Sequence, residues 1–103
     1  MNAHVVAGGR LKRALEASAE EAGCAIDFPA MRDREFNFSI FEGGRHAMTA
    51  IVAGDDARAW LEQLDEYALT LPGYALAQLE VGCVEAKDGR LLVELEAITV
   101  REA

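Results

Sequence analysis

Asp88-Gly89 stands between two runs in which apolar and polar residues alternate, Tyr74 to Lys87 and Arg90 to about Val100. The dipeptide supplies the two positive φ angles of a two-residue turn, so the last third of the chain is constrained to an antiparallel hairpin. Closing it there sets Val84 opposite Val93, Ala86 opposite Leu91 and Gly82 opposite Leu95 on one apolar face. Farther from the turn the apolar positions change sides. Ala77 pairs with Val100 and Leu79 with Ile98, on the face that nearer the turn carries Glu85, Glu94 and Glu96. A regular strand cannot switch its buried face. Either a bulge lies near residues 95–98, or the hairpin meets a second surface, and Leu79, Ile98 and Val100 form the patch of a homodimer or larger assembly.

A second hairpin is read upstream. Phe36, Phe38 and Ile40 alternate with Asn37, Ser39 and Phe41, Gly43-Gly44 offers a turn, and Arg45 to Ala53 returns. This register pairs Phe36 with Ile51, Phe38 with Thr49 and Ile40 with Ala47 on the core side. It leaves His46 on the other side, opposite Phe41, as a partly exposed strand residue. Cys24 to Phe28 reads as a short strand ended by Pro29, with a polar loop from Met31 to Arg34.

Two segments have helical spacing. Leu11, Ala14, Leu15, Ser18 and Ala22 place a helix over 10–22, with Gly23 as its C-terminal cap and residues 1–9 as a flexible lead-in. Gly54-Asp55-Asp56 sets carboxylates at the start of a second helix running to about Thr70. Its stripe is Ala57, Trp60, Leu61, Leu64, Ala68 and Leu71, anchored by Trp60 and Leu64, and Pro72-Gly73 ends it. The 103 residues form one α+β domain, 1–103, with a four- or five-stranded, mainly antiparallel sheet built from two hairpins. Two helices pack on one face, in the order α-(β)-β-β-α-β-β.

Charge narrows the functional classes. The formal net charge is −8, and all of it belongs to residues 35–103, because 1–34 hold five basic and five acidic side chains. Such a domain repels a phosphate backbone, so direct nucleic-acid binding is not expected, whereas a basic protein would be attracted and steered. No apolar run is long enough to span a bilayer and the first 30 residues lack a signal-peptide core, so no membrane association and a cytoplasmic location are expected.

The reactive residue types are sparse. Cys24 and Cys83 are 59 positions apart and form no CxxC, and two free, buried thiols are expected. His4 and His46 lie in different segments without a metal-ligand pattern, so no metal is expected. Gly8-Gly9-Arg10 lacks the Lys-Ser/Thr of a P-loop and the third glycine of a dinucleotide fingerprint. Carboxylates remain, and nothing places two of them in a cleft with divergent environments. No cofactor and no catalytic residue are therefore assigned.

The order of elements and the acidity resemble those of the small secretion chaperones of bacterial type III systems. The resemblance covers element order alone, and the C-terminal helix that closes that fold is not written after the last hairpin. It implies a dimeric binder of an unfolded effector segment. Toxin-immunity proteins and phage-encoded inhibitors of bacterial defence are similar in class only. The leading expectation is a non-catalytic module of the inhibitor, immunity or anti-defence type. It would engage a basic, nucleic-acid-binding type of protein through Glu62, Asp65 and Glu66 on the second helix and Glu85, Glu94 and Glu96 on the last hairpin. The alternatives are the chaperone-like dimer and a small-ligand binder or small enzyme with a pocket between sheet and helices.

Overall fold

The computed structural model describes residues 2–102, and Phe38 by its backbone alone. Six elements follow in order: α1 (Ala3–Glu21), β1 (Ala25–Phe38), β2 (Phe41–Ala53), α2 (Ala57–Gln63), β3 (Tyr74–Lys87) and β4 (Arg90–Arg101). The strands make one antiparallel sheet in the order β1-β2-β4-β3, so the two hairpins are joined through β2 and β4. This is the α+β architecture read from the sequence, with four strands. Among the described residues no helix is long and apolar enough to cross a membrane.

Helix α1 packs against β1 and β2 and reaches β4, burying Ala7, Leu11, Leu15 and Ala19 on Met48, Ala50 and Val52 of β2 and Val93, Leu95 and Ala97 of β4. Fully burying a side chain of leucine size contributes roughly 1.5–3 kcal/mol, so this one layer carries most of the apolar stabilisation. The helix begins at Ala3, seven residues earlier than its stripe suggested, because Ala3, Val6 and Ala7 continue the buried face. Gly8 and Gly9 therefore lie inside it and are no flexible lead-in. Gly23, at φ +79°, ends it as expected, and the Cys24 amide donates to the Ala19 carbonyl at 2.8 Å.

The β3–β4 turn is where Asp88-Gly89 places it, with φ of +52° and +76° and Lys87 opposite Arg90. The β1–β2 turn is not at Gly43-Gly44. It lies at Ser39-Ile40, between Phe38 and Phe41, with Ser39 at φ +56° and Ile40 89% exposed. Both glycines are buried inside β2 because the chain needs them for close approach. A Cβ on Gly44 would strike the His46 ring, at 2.8 Å, and the His4 side chain of α1, at 3.0 Å; one on Gly43 would strike the carbonyl oxygens of Phe36 and Thr99. The shift inverts the core face of β2: Gly44, His46, Met48, Ala50 and Val52 face α1, while Ala47, Thr49 and Ile51 face outward. The side chain of Phe38 lies outside the described residues.

Pro29 does not end a separate strand. β1 is one long edge strand, and Phe28-Pro29 occupy a register shift between Asp27 and Ala30, where a missing amide costs no ladder bond. Helix α2 stops at Gln63 rather than near Thr70. Leu64 is extended, and the Asp65 carboxylate accepts the Tyr67 amide at 2.8 Å, a local bond that competes with helix. At the other end Asp56 takes the cap position without a side-chain cap bond. Trp60 and Leu64 are nonetheless buried anchors, and the Trp60 indole donates to Ser18 of α1 at 2.9 Å.

Candidate functional site

Three places on this frame gather polar chemistry. The first is buried. His46 on β2 sits between Asp33 on β1 and Thr99 on β4, with Nδ1 2.7 Å from Asp33 Oδ1 and Nε2 2.8 Å from Thr99 Oγ1. His46 and Thr99 are wholly buried, and Asp33 is 21% exposed. In the neutral ring the Nδ1 proton goes to the carboxylate and Nε2 accepts the threonine proton, so each partner is satisfied. Gly8 of α1 lies over this row, where a Cβ would fall on the Asp33 carboxylate. Acid, imidazole and hydroxyl stand in the order of a nucleophile relay, but α1 seals the hydroxyl from any substrate. The arrangement holds three strands together beneath a helix.

His46 is thus a buried network residue, not the partly exposed one expected beside a Gly43-Gly44 turn. The signal was present: His46 shares its parity with Met48, Ala50 and Val52, the β-branched and apolar residues of that strand. Register set from the wrong turn hid it.

The second place is the sheet face that no helix covers. β1 and β2 bring Arg32, Arg34 and Arg45 to it, with Arg34 directly opposite Arg45. β4 and β3 bring Glu94, Glu96, Glu80 and Glu85. One row across all four strands reads Arg32, Ala47, Glu96, Glu80. The Arg45 guanidinium stacks on Phe36, 5.3 Å from the ring centre, and Thr49 donates to Glu94 at 3.1 Å. Among the described residues the ion pairs are His46–Asp33 and Arg101–Glu42, so none joins the arginine half to the glutamate half. The face keeps a basic half and an acidic half side by side.

The terminal hairpin does contain the bulge its pattern required, but on β3. A register shift between Leu76 and Gln78, level with Ile98 and Thr99, turns Leu79 into the core at 4% exposure. The expected patch of Leu79, Ile98 and Val100 is therefore broken: Ile98 and Val100 stay half-buried on the open face, and Leu79 does not join them. A second shift between Val81 and Val84 sets Gly82 and Cys83 out of the ladder opposite Glu94.

The third place is a groove of about 420 Å³ between α2 and the outer half of β3, lined by Arg58, Leu61, Glu62, Leu64, Val81, Gly82 and Val84. Asp55, Asp56, Glu62, Asp65 and Glu66 surround it in sequence against Arg58 alone. The six carboxylates expected to form one partner surface are divided: Glu62, Asp65 and Glu66 belong to the helix side, and Glu85, Glu94 and Glu96 to the open sheet face. Sequence reasoning missed Arg32, Arg34 and Arg45 as a group, because alignment of β1 with β2 is what assembles them.

Both cysteines are free, but only Cys24 is buried; Cys83 is exposed in the bulge, against the expectation of two buried thiols. Burial, and then the Asp56 carboxylate, push the Cys24 thiol above its ordinary pKa. Maleimide at neutral pH is expected to modify Cys83 promptly and Cys24 only on unfolding, read by intact mass with and without denaturant. Equal labelling of both in the native protein would contradict this placement.

Among the described residues no group of three or more His, Cys, Asp or Glu side chains is placed to hold a metal ion. No family model, curated protein or solved structure matches this chain.

Proposed function

We propose that this protein is a non-catalytic binding module that takes an apolar, basic segment of another protein into the groove between α2 and β3. The observation that carries the reading is an apolar floor, Leu61, Leu64, Val81 and Val84, edged by Glu62 and Arg58, in a segment whose other charged side chains, Asp55, Asp56, Asp65 and Glu66, are all acidic. Apolar contact supplies affinity there, and the net acidity of the α2 segment favours Lys and Arg over acidic competitors. β3 is a sheet edge, so an extended segment lying beside it also finds unpaired backbone groups. That feature favours the chaperone-like form of the reading, in which the occupant is unfolded, over an inhibitor docking on a folded partner.

The test uses a fluorescent extended peptide of alternating leucine and lysine, with a leucine–glutamate peptide as control. Anisotropy titration is expected to show binding of the basic peptide alone, weakening at least tenfold between 50 and 500 mM salt, as screening of exposed charge requires. Glu62→Lys with Asp65→Lys should abolish it, while Glu94→Lys with Glu96→Lys, on the opposite face, should not. Salt-independent binding, or equal affinity for both peptides, would remove the electrostatic argument.

A further inference from the structure

We infer that the open face of the sheet is a self-association surface, and that its occupant is a second copy of this chain turned about a two-fold axis lying along the strands. The inference concerns the face opposite the groove and does not depend on the function proposed above.

Across the sheet the face runs from net basic, with Arg32, Arg34 and Arg45 against Asp27 on β1 and β2, to net acidic, with Glu80, Glu85, Glu94 and Glu96 against Lys87 and Arg90 at the turn of β3 and β4. Two copies pack face to face only about an axis lying in the interface. An axis across the strands would set arginine on arginine and glutamate on glutamate. An axis along the strands exchanges β1 with β3 and β2 with β4, so each basic half covers the other copy's acidic half. In that arrangement Arg32 comes over Glu80 and Glu96, and Ile51 comes over Leu92. About the axis along the strands Arg32 meets Glu80 and Glu96 and one like-charge row remains, Asp27 over Glu85; about the axis across them the arginines and the glutamates meet their own kind.

Area and composition agree. The uncovered sheet measures about 40 Å by about 19 Å from strand rise and spacing, close to the roughly 800 Å² per partner of a stable interface. Its two central strands carry Arg45, Glu94 and Glu96 among less polar positions, Ala47, Thr49 and Ile51 on β2 and the half-exposed Leu92, Ile98 and Val100 on β4, which a second sheet would cover. Two sheets so packed lie about 30° apart, as aligned sheets do. The charge order chooses the orientation, and the apolar centre supplies the burial.

Sedimentation equilibrium of the full chain from 1 to 100 µM at 100 mM salt tests this. The wild type is expected to dimerise. Arg32→Glu with Arg45→Glu leaves Arg34 as the one arginine of the basic half, and Glu80→Arg with Glu96→Arg makes the other half less acidic; each should raise the dimer Kd on the order of 100-fold. Mixing these two variants should restore a one-to-one complex, and a chain carrying all four changes should dimerise again with the charges of the opposed positions reversed. Circular dichroism checks each fold; if the Arg45 change disturbs it through the lost stacking on Phe36, the Glu80/Glu96 pair carries the test alone. A wild type monomeric at 100 µM, single-half variants that dimerise unchanged, or a mixture that fails to associate would each overturn the inference. Loss of the peptide binding above with the dimer intact would leave it standing.

Discussion

Replacing His46 with alanine is expected to lower stability by about 3 kcal/mol, since it opens a cavity and also strips the buried Thr99 and the partly buried Asp33 of their partner. Asp33 loses the donor at 2.7 Å and Thr99 the acceptor at 2.8 Å, and Thr99 is wholly buried where water cannot easily replace it, whereas the Asp33 carboxylate is partly exposed. The cost arises from the orphaned groups more than from the bonds themselves. A triple change, Asp33→Leu, His46→Leu and Thr99→Val, removes all three polar groups together and is therefore expected to cost less than His46→Ala alone. Urea unfolding followed by tryptophan fluorescence measures each. A single-variant loss below about 0.5 kcal/mol, the usual bound for an inert surface change, would show that the row does not hold the strands.

Trp60→Ala should cost as much or more, about 3–5 kcal/mol, a large share of the roughly 5–15 kcal/mol that holds a domain of this size folded. Trp60 is the one large anchor of a seven-residue helix, too short to persist without packing, and its indole also ties that helix to Ser18 of α1. Trp60→Phe keeps most of the apolar volume and gives up the hydrogen bond, so it should lose about 1 kcal/mol from that bond together with a smaller packing loss. Glu62 at the groove and the neighbouring Asp65 and Glu66 depend on this anchor for their position, so Trp60→Ala is also expected to weaken binding of the basic peptide even where the chain remains folded. Thermal melts by circular dichroism, paired with the anisotropy titration at 10 °C, separate the two effects. Wild-type stability in Trp60→Ala would mean that α2 is not held by its apolar face.

How much was legible in the chain varied with how local the signal was. Asp88-Gly89 set its turn correctly, and Val84 opposite Val93 followed, because a two-residue turn with two positive φ angles is specified by the dipeptide itself. Gly43-Gly44 carried the same local signal and was used otherwise. A glycine pair permits a turn and also permits two backbones to approach, and only the position of α1 over Gly44 and of β4 beside Gly43 decides between them. That one ambiguity moved the register and hid the His46 row. The end of α2 was similarly local in cause, an Asp65 side chain that bonds the Tyr67 amide, yet the apolar spacing continued to Leu71 and masked it.

The candidate surfaces divide along the same line. Net acidity and the acidic run around α2 are sums over the chain, and the sequence determined them outright. It also determined that the terminal hairpin must change its buried face somewhere, since Leu79 and Val84 cannot share a face in a regular strand. Tertiary structure alone decided that the change occurs by a bulge on β3, that β4 lies between β2 and β3, and that three arginines from one hairpin stand beside four glutamates from the other. The physical reason is that pairing between the two hairpins is set by how both cover α1, a sum of many weak apolar contacts far apart in the chain. No single residue carries that sum in its own neighbourhood.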